Sequence, residues 1–282
     1  MKHILVATDL SERSQHAVRR AALLALLAQS SLNILHVVDD AFPGDFIDAQ
    51  VKRAQAWLSE HIPVDAGLPV PNLIVRQGDP HEQILKVAGE CGADLIVLGG
   101  HRRRQLLDGF LGTTAERLLR VSTRPVLIVH DAGLDPYRRV YIGTDLSTPS
   151  AHAFAVTRRL GLLGSHPSVV HVFVAVGVGK LRSLGIDPAP LIARERDAAS
   201  QRLISFIADL EVPGTDVAVV LREGRATQQI LRVVSDERAQ LLVMGTRGRA
   251  GATRAVLGSV TEAVLRAVQC DVLAVPAATD RA

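Results

Sequence analysis

The chain has 282 residues, 32 basic and 29 acidic side chains, and a formal charge of +3. At about 150 residues per domain, that length fits two domains. The balance is too mild to argue for nucleic acid, and no aromatic-interleaved basic surface supports such a partner. Its two cysteines, Cys91 and Cys270, form no CxxC and no metal-like spacing, which suits a reduced compartment. The first residues are interrupted by charge too early for a signal peptide. The longest apolar run, Ala21 to Ala28, is far short of a bilayer span. These features together predict a cytoplasmic protein without a membrane partner.

In chain order, His3 to Ala7 reads as a short strand ending at Thr8-Asp9. Ser11 is placed to cap a helix running to about Ala28. Leu32 to Val38 is the next strand, and about Asp45 to His61 a helix carrying Trp57. Pro63, Gly67, Pro69 and Pro71 mark a loop. A strand at Leu73 to Arg76 turns through Gln77-Gly78-Asp79-Pro80 into a helix ending near Cys91-Gly92. Asp94 to Leu98 is a fourth strand, followed by Gly99, Gly100 and a basic loop. Thr113 or Thr114 opens a helix, and Pro125 to Val129 closes the unit. Strands alternating with helices predict βαβ units on a parallel sheet, and unbroken apolar strands predict a sheet covered on both faces.

The order then repeats. Ala7-Thr8-Asp9-Leu10-Ser11 returns as Gly143-Thr144-Asp145-Leu146-Ser147, His36-Val37 as His171-Val172, and Arg76-Gln77-Gly78 as Arg222-Glu223-Gly224. Asp94 to Gly99 returns as Gln240 to Gly245, Gly112-Thr113 as Gly258-Ser259, and Pro125 to Val129 as the closing Cys270 to Val275. Asp9 and Asp145 are 136 residues apart, and Gly78 and Gly224 are 146 apart. The second copy therefore holds about ten extra residues, most simply after its second strand. This is a duplication, with domains at 1–132 and 137–282 joined near Gly133 and Pro136.

The stretch with the most chemistry runs from Leu241 to Val275. An apolar strand, Leu241 to Met244, leads into Gly245, Gly248 and Gly251, then Gly258-Ser259 and a helical pattern. A strand, glycine loop and helix start can hold phosphate, because glycines admit the anion and free N–H groups face it. Ser259 is placed as the N-cap. The spacing Gly245-x2-Gly248-x9-Gly258-Ser259 matches neither the dinucleotide fingerprint nor the Walker loop. It resembles the nucleotide loop of the universal stress protein family. So does the whole pattern in both halves: strand-end aspartate, His-Val pair, glycine loop and closing strand.

The resemblance implies α/β architecture: two tandem flavodoxin-like domains of the adenine nucleotide alpha hydrolase-like kind. Each would be a five-stranded parallel sheet with helices on both faces. It further implies a stress-response protein that binds ATP, with or without Mg2+, across the carboxyl ends of the strands. In the second half the implied contacts are Gly143, Thr144, Asp145, Val172, Met244, Gly245, Arg247, Gly248, Gly258, Ser259, Val260 and Thr261. The residue types agree: Asp145 can accept from ribose or the adenine amine, and Arg247 and Arg249 add positive charge. Asp145 has the alternative reading of an N-cap.

The first half offers weaker candidates: Thr8, Asp9, Val37, Gly99, Arg102, Gly112 and Thr113. Arg102 stands where the second loop has Gly248. If that position needs a left-handed backbone, arginine is costly there. His101 to Arg104 would either occlude the site or clamp an anion.

His36 and His171 read as structural histidines among apolar strand residues. No catalytic trio and no metal set emerges. Val176-Gly177-Val178-Gly179 lacks the third glycine of a dinucleotide turn and reads as loop. Lys180-Leu181-Arg182 with Arg194, Arg196 and Arg202 reads as a basic helix or lid with a solvated face. Two further readings remain open: a slow ATP hydrolase, and a scaffold without nucleotide. The halves are expected to join through Val126 to Val129 and Val272 to Val275 as a pseudo-dimer, with a homodimer also open.

Overall fold

The structure is a computed structural model. The structure describes residues 1–38, 44–61, 70–100, 113–130, 133, 135–210, 216–248 and 257–278. The first half runs β1 (His3–Thr8), α1 (Glu12–Ala28), β2 (Ser31–Val38), α2 (Gly44–His61), β3 (Asn72–Gln77), α3 (Pro80–Glu90), β4 (Leu95–Gly99), α4 (Thr113–Val121) and β5 (Val126–Val129). The second runs β6 (Arg139–Thr144), α5 (Thr148–Arg159), β7 (His166–Phe173), α6 (Val178–Ser183), α7 (Ala189–Asp209), β8 (Ala218–Glu223), α8 (Ala226–Asp236), β9 (Leu241–Gly245), α9 (Ser259–Leu265) and β10 (Asp271–Val275).

All ten strands form one sheet in the order β3-β2-β1-β4-β5-β10-β9-β6-β7-β8. Within each half the pairing is parallel. The halves meet where β5 and β10 pair antiparallel, with Val272 opposite Ile128, Leu273 opposite Leu127 and Ala274 opposite Val126. Two exposed sheet edges are thereby removed inside one chain. The sheet is mixed only at this seam.

Period-2 alternation sorts the strand side chains into two cores. Ile4, Val6, Ile34, Val97, Leu127, Ile142, Val243 and Leu273 face one way, toward α1, α2, α5 and α7. Leu5, Leu35, Ile96, Ile128, Val170, Leu242 and Val272 face the other, toward α3, α4, α8 and α9. Both cores run through the seam, so the two halves share their packing.

The second copy's extra residues lie between β7 and α7 and include α6. Gly177 caps α6 with φ +97°, so the stretch expected to be loop is a short helix from Val178. Lys180 and Arg182 lie on α6, and Arg194, Arg196 and Arg202 on α7.

One feature of the seam has no counterpart in the repeat. Asp271, wholly buried, opens β10 where the first copy has Pro125. Its Oδ1 accepts from the His130 backbone N–H at 2.8 Å. Its Oδ2 accepts from the Tyr137 hydroxyl at 2.5 Å and lies 3.4 Å from Arg20 Nε. Arg20, on α1, donates to the carbonyls of Gly133 and Asp135 and stacks 4.5 Å from the centre of the Tyr137 ring. Burial first, then the Asp271 charge, hold the Tyr137 phenol well above its ordinary pKa, so it stays a donor. The first helix, the connection between the halves and the last strand are thus held at a single carboxylate.

A second set of charges crosses the seam on the other face. Arg266 lies 2.7 Å from Glu262 on its own helix and 3.3 Å from Glu116 of α4, while Arg120 lies 3.8 Å from Glu262. Arg120 and Arg266 are equivalent positions in the two copies, as are Glu116 and Glu262.

Candidate functional site

The two copies build their first strand-to-helix turn from the same bonds. Thr144 Oγ1 lies 2.8 Å from Ser150 Oγ and accepts from the Leu146 N–H at 2.9 Å. Thr8 does the same with Ser14 at 2.8 Å and Leu10 at 3.0 Å. Leu10 and Leu146 both sit at positive φ, +63° and +62°. That strain is held by the threonine on one side and the helix cap on the other.

Ser11 caps α1 and Ser147 caps α5. The aspartates are not the caps. They support them: Asp9 Oδ1 accepts from the Ser11 N–H at 3.0 Å and its hydroxyl at 2.5 Å. Asp145 Oδ1 accepts from the Ser147 N–H at 3.2 Å and from the Ser147 hydroxyl. The reading of Asp145 as N-cap is therefore corrected.

Partial burial pushes the Asp9 pKa up, but hydrogen bonds, chiefly from the Ser11 and Ser14 side chains, outweigh it and leave a net lowering. A lowered folded-state pKa adds stability above the unfolded value, lost as pH falls through the folded one. Ser11→Ala is expected to move the Asp9 pKa upward. An NMR pH titration of its carboxyl carbon reads this, and an unmoved midpoint would show that Ser11 does not hold the charge.

Above the carboxyl ends of β6, β7 and β9 lies a cleft of about 480 Å³. β6 pairs with β7 on one side and β9 on the other. This is where strand order reverses, the position at which open α/β sheets take ligands. All twelve second-half candidates line it: Gly143, Thr144 and Asp145 from β6 and its turn, Val172 from β7, Met244 and Gly245 from β9, Arg247 and Gly248 beyond it, and Gly258, Ser259, Val260 and Thr261 at the start of α9. Ser150, Val170, His171, Ala226 and Ile230 complete the wall. The apolar α8 side chains among these were not anticipated, since nothing in their sequence separates them from core.

The glycines have distinct reasons. A Cβ on Gly248 would lie 2.7 Å from Asp145 Oδ2, so glycine there keeps the carboxylate edge clear. Gly248 is not at positive φ. The conditional left-handed argument for this position therefore falls, and a steric one replaces it. A Cβ on Gly143 would lie 2.6 Å from Met244 Sδ, so glycine lets Met244 lie across β6. The first copy has Ala7 and Leu98 at these two places.

The neck of the loop is tied twice. The Gly258 N–H donates to the Thr246 carbonyl at 2.8 Å, and the Thr261 hydroxyl donates to the Gly245 carbonyl at 2.8 Å. Thr261, almost fully buried, thus positions the loop with its side chain. The N-cap of α9 is Gly258, at φ −60°, and makes no side-chain cap bond. Ser259 is the first helical residue, exposed at the cleft, which corrects its expected capping role. Gly258 holds the N-cap position, and its own amide is taken by Thr246.

His171 Nδ1 lies 2.9 Å from the Thr144 carbonyl, and His36 Nδ1 2.9 Å from that of Thr8. A carbonyl only accepts, so Nδ1 carries the hydrogen in both. Each histidine laces its second strand to the first, as the structural reading expects. Among the described residues, no group of three or more His, Cys, Asp or Glu side chains could hold a metal ion.

Of the first-half candidates, Thr8, Asp9 and Val37 occupy the equivalent strand ends. Gly99 packs against α1, where a Cβ would lie 3.2 Å from the Arg13 carbonyl oxygen. Thr113 opens α4. Arg102 and Gly112 lie outside the described residues, as do Arg249 and Gly251. Among the described residues, no helix is long and apolar enough to cross a membrane.

The model of the universal stress protein family matches residues 1–130 and again 136–276. The chain belongs to the universal stress protein family. A universal stress protein of Mycolicibacterium smegmatis is 26% identical over 294 residues, covering 96% of each chain. One from Mycobacterium tuberculosis H37Rv is 30% identical over 296 residues, covering 96% of this chain and 95% of its own. Among solved structures, a universal stress protein from Archaeoglobus fulgidus superposes with a TM-score of 0.70 at 21% identity, covering 97% of this chain and 98% of that one. The likeness extends over both halves and their connection.

Proposed function

We propose that the second half binds ATP in the cleft above β6, β7 and β9, and that the protein acts through the bound state in a stress response, by conformation or partners. The observation that carries this reading is convergence. Twelve residues spread from Gly143 to Thr261 in sequence line one cleft, at the sheet position where α/β proteins take ligands. The cleft suits a nucleotide chemically. Val170, Val172 and Ile230 offer apolar surface for a base. Asp145 Oδ2 faces the glycine at 248 as an acceptor for ribose hydroxyls. Arg247, the Ser259 hydroxyl and the first-turn amides of α9 supply donors for phosphate oxygens. The family membership, with relatives matched over nearly their whole length, favours the same reading.

Turnover would be slow. The loop lacks the Gly-Lys-Ser/Thr triplet of the Walker motif, and the sequence offers no evident catalytic base. Equilibrium binding of ATP with and without magnesium, followed by a phosphate-release assay, separates three outcomes. Binding without release supports the reading; fast release makes the protein an ATPase; no binding leaves a scaffold. The first half is proposed to be silent, because Arg102 replaces the glycine at 248. Arg102→Gly is expected to raise the stoichiometry from one ATP per chain to two. Two sites in the unmodified chain would overturn the asymmetry.

A further inference from the structure

A second cavity lies in the first half, on the core face that carries α1 and α2. It has a volume of about 570 Å³ and is lined by Leu10, His36, Ala49, Gln50, Arg53, Ala54 and Trp57. Five of these come from α2, at the spacing of one helix face. Ala54 is buried at the floor, and Trp57 packs with the core shared by α1. Leu10 is fixed in its strained turn and His36 by its bond to Thr8. Arg53 is exposed at the rim, and among the described residues no carboxylate pairs with it.

The second half does not repeat this cavity's chemistry. Aligning the buried pair Ala54 and Leu58 with Ala199 and Leu203 puts Ala198 opposite Arg53 and Arg202 opposite Trp57. A cation, Arg202, thus stands where the first half has its aromatic wall, and Ala198 leaves the Arg53 position without charge. His171 is buried, whereas its counterpart His36 is only half-buried although both make the same bond through Nδ1. The added exposure of His36 falls where the cavity opens onto it.

We propose that this cavity binds a small amphipathic anion, its apolar body against Trp57, Ala54 and Leu10 and its carboxylate at Arg53. The volume is in the range of small-molecule sites. A mostly apolar lining with one cation at the mouth favours a ligand that buries hydrocarbon and leaves its charge at the rim. Gln50, and the Nε2 that His36 leaves uncommitted, add polar contacts near that end. The site is separate from the ATP cleft, which uses Val170, Ile230 and Met244 on the other core face.

Trp57 is the chain's single tryptophan, so the site carries its own reporter. The test is a titration of the intact protein with octanoate, followed by tryptophan emission and by calorimetry, with octanamide as the uncharged control. A saturable change with octanoate is expected, weakened about fivefold in Arg53→Gln and about fivefold with octanamide, the stronger end of what one exposed charge pair contributes. Arg202→Gln, at the Trp57 position of the other half, should leave the titration unchanged, as should saturating ATP. No saturable signal by either method would overturn the site. Equal binding of octanamide, or no loss in Arg53→Gln, would overturn the anion assignment. Competition by ATP would overturn its separateness.

Discussion

Gly258→Asp is expected to weaken ATP binding by the second half at least about a hundredfold while leaving the fold intact. The backbone at Gly258 is at φ −60°, which any residue adopts, and an added Cβ would meet the Thr246 carbonyl oxygen only at 3.5 Å. Strain is therefore not the reason for the loss. The new carboxylate would stand beside the amides that start α9, where the triphosphate is proposed to lie. Two like charges about 4 Å apart near a protein surface repel by about 4 kcal/mol, and about 2.7 kcal/mol already corresponds to a hundredfold. Gly258→Ala supplies the contrast. It adds the same Cβ without charge and should keep affinity within about tenfold of the parent, since 1.4 kcal/mol is one decade. Calorimetric ATP titrations of both variants, with circular dichroism to confirm folding, read the difference. Equal affinities in the two would show that no phosphate charge is held there.

Asp271→Asn is expected to have the largest effect on stability, a loss of about 3–5 kcal/mol, the range for removing one member of a buried ion pair. The carboxylate is fully buried, and the substitution leaves the Arg20 guanidinium, itself 4% exposed, without its counter-charge. It also weakens the acceptors for the Tyr137 hydroxyl and the His130 amide. Adding Arg20→Met should restore much of the loss, because the uncompensated cation goes with it. Urea unfolding of the single and double variants measures both. If Asp271→Asn unfolds at the parent's midpoint, the cluster is not what secures the seam.

The fold was largely legible because both its signals are periodic. Apolar strand runs, the serine cap at Ser11 and the repeated Thr-Asp-Leu-Ser turn place the first-half elements within a residue or two of where they lie. The pairing of β5 with β10 was legible for a different reason: two short apolar strands, each the last of its unit, leave edges that need covering. The Asp271 cluster was not legible. Arg20, Tyr137 and Asp271 have no shared pattern in the repeat, and only the three-dimensional meeting of a helix, a connection and a strand makes them a unit. The residues that line the cleft were named together through the family resemblance, but the work each does in the structure was not legible. Thr261 turned out to clamp the loop, Gly258 rather than Ser259 to cap the helix, and Gly248 to clear Asp145 rather than to turn the chain. Those roles depend on distances of a few ångströms, within the loop for Thr261 and Gly258 and across to the turn after β6 for Gly248. The cavity at Trp57 was hidden because a tryptophan on an amphipathic helix reads as core.

Amide hydrogen exchange of the intact protein, with and without saturating ATP, tests nucleotide binding by the second half alone. ATP is expected to slow exchange in the second half, at 143–147, 170–172, 244–248 and 257–261, and to leave the equivalent first-half segments at 7–11, 35–37 and 98–100 unchanged. Protection confined to the first-half segments, or spread equally over both, would contradict it.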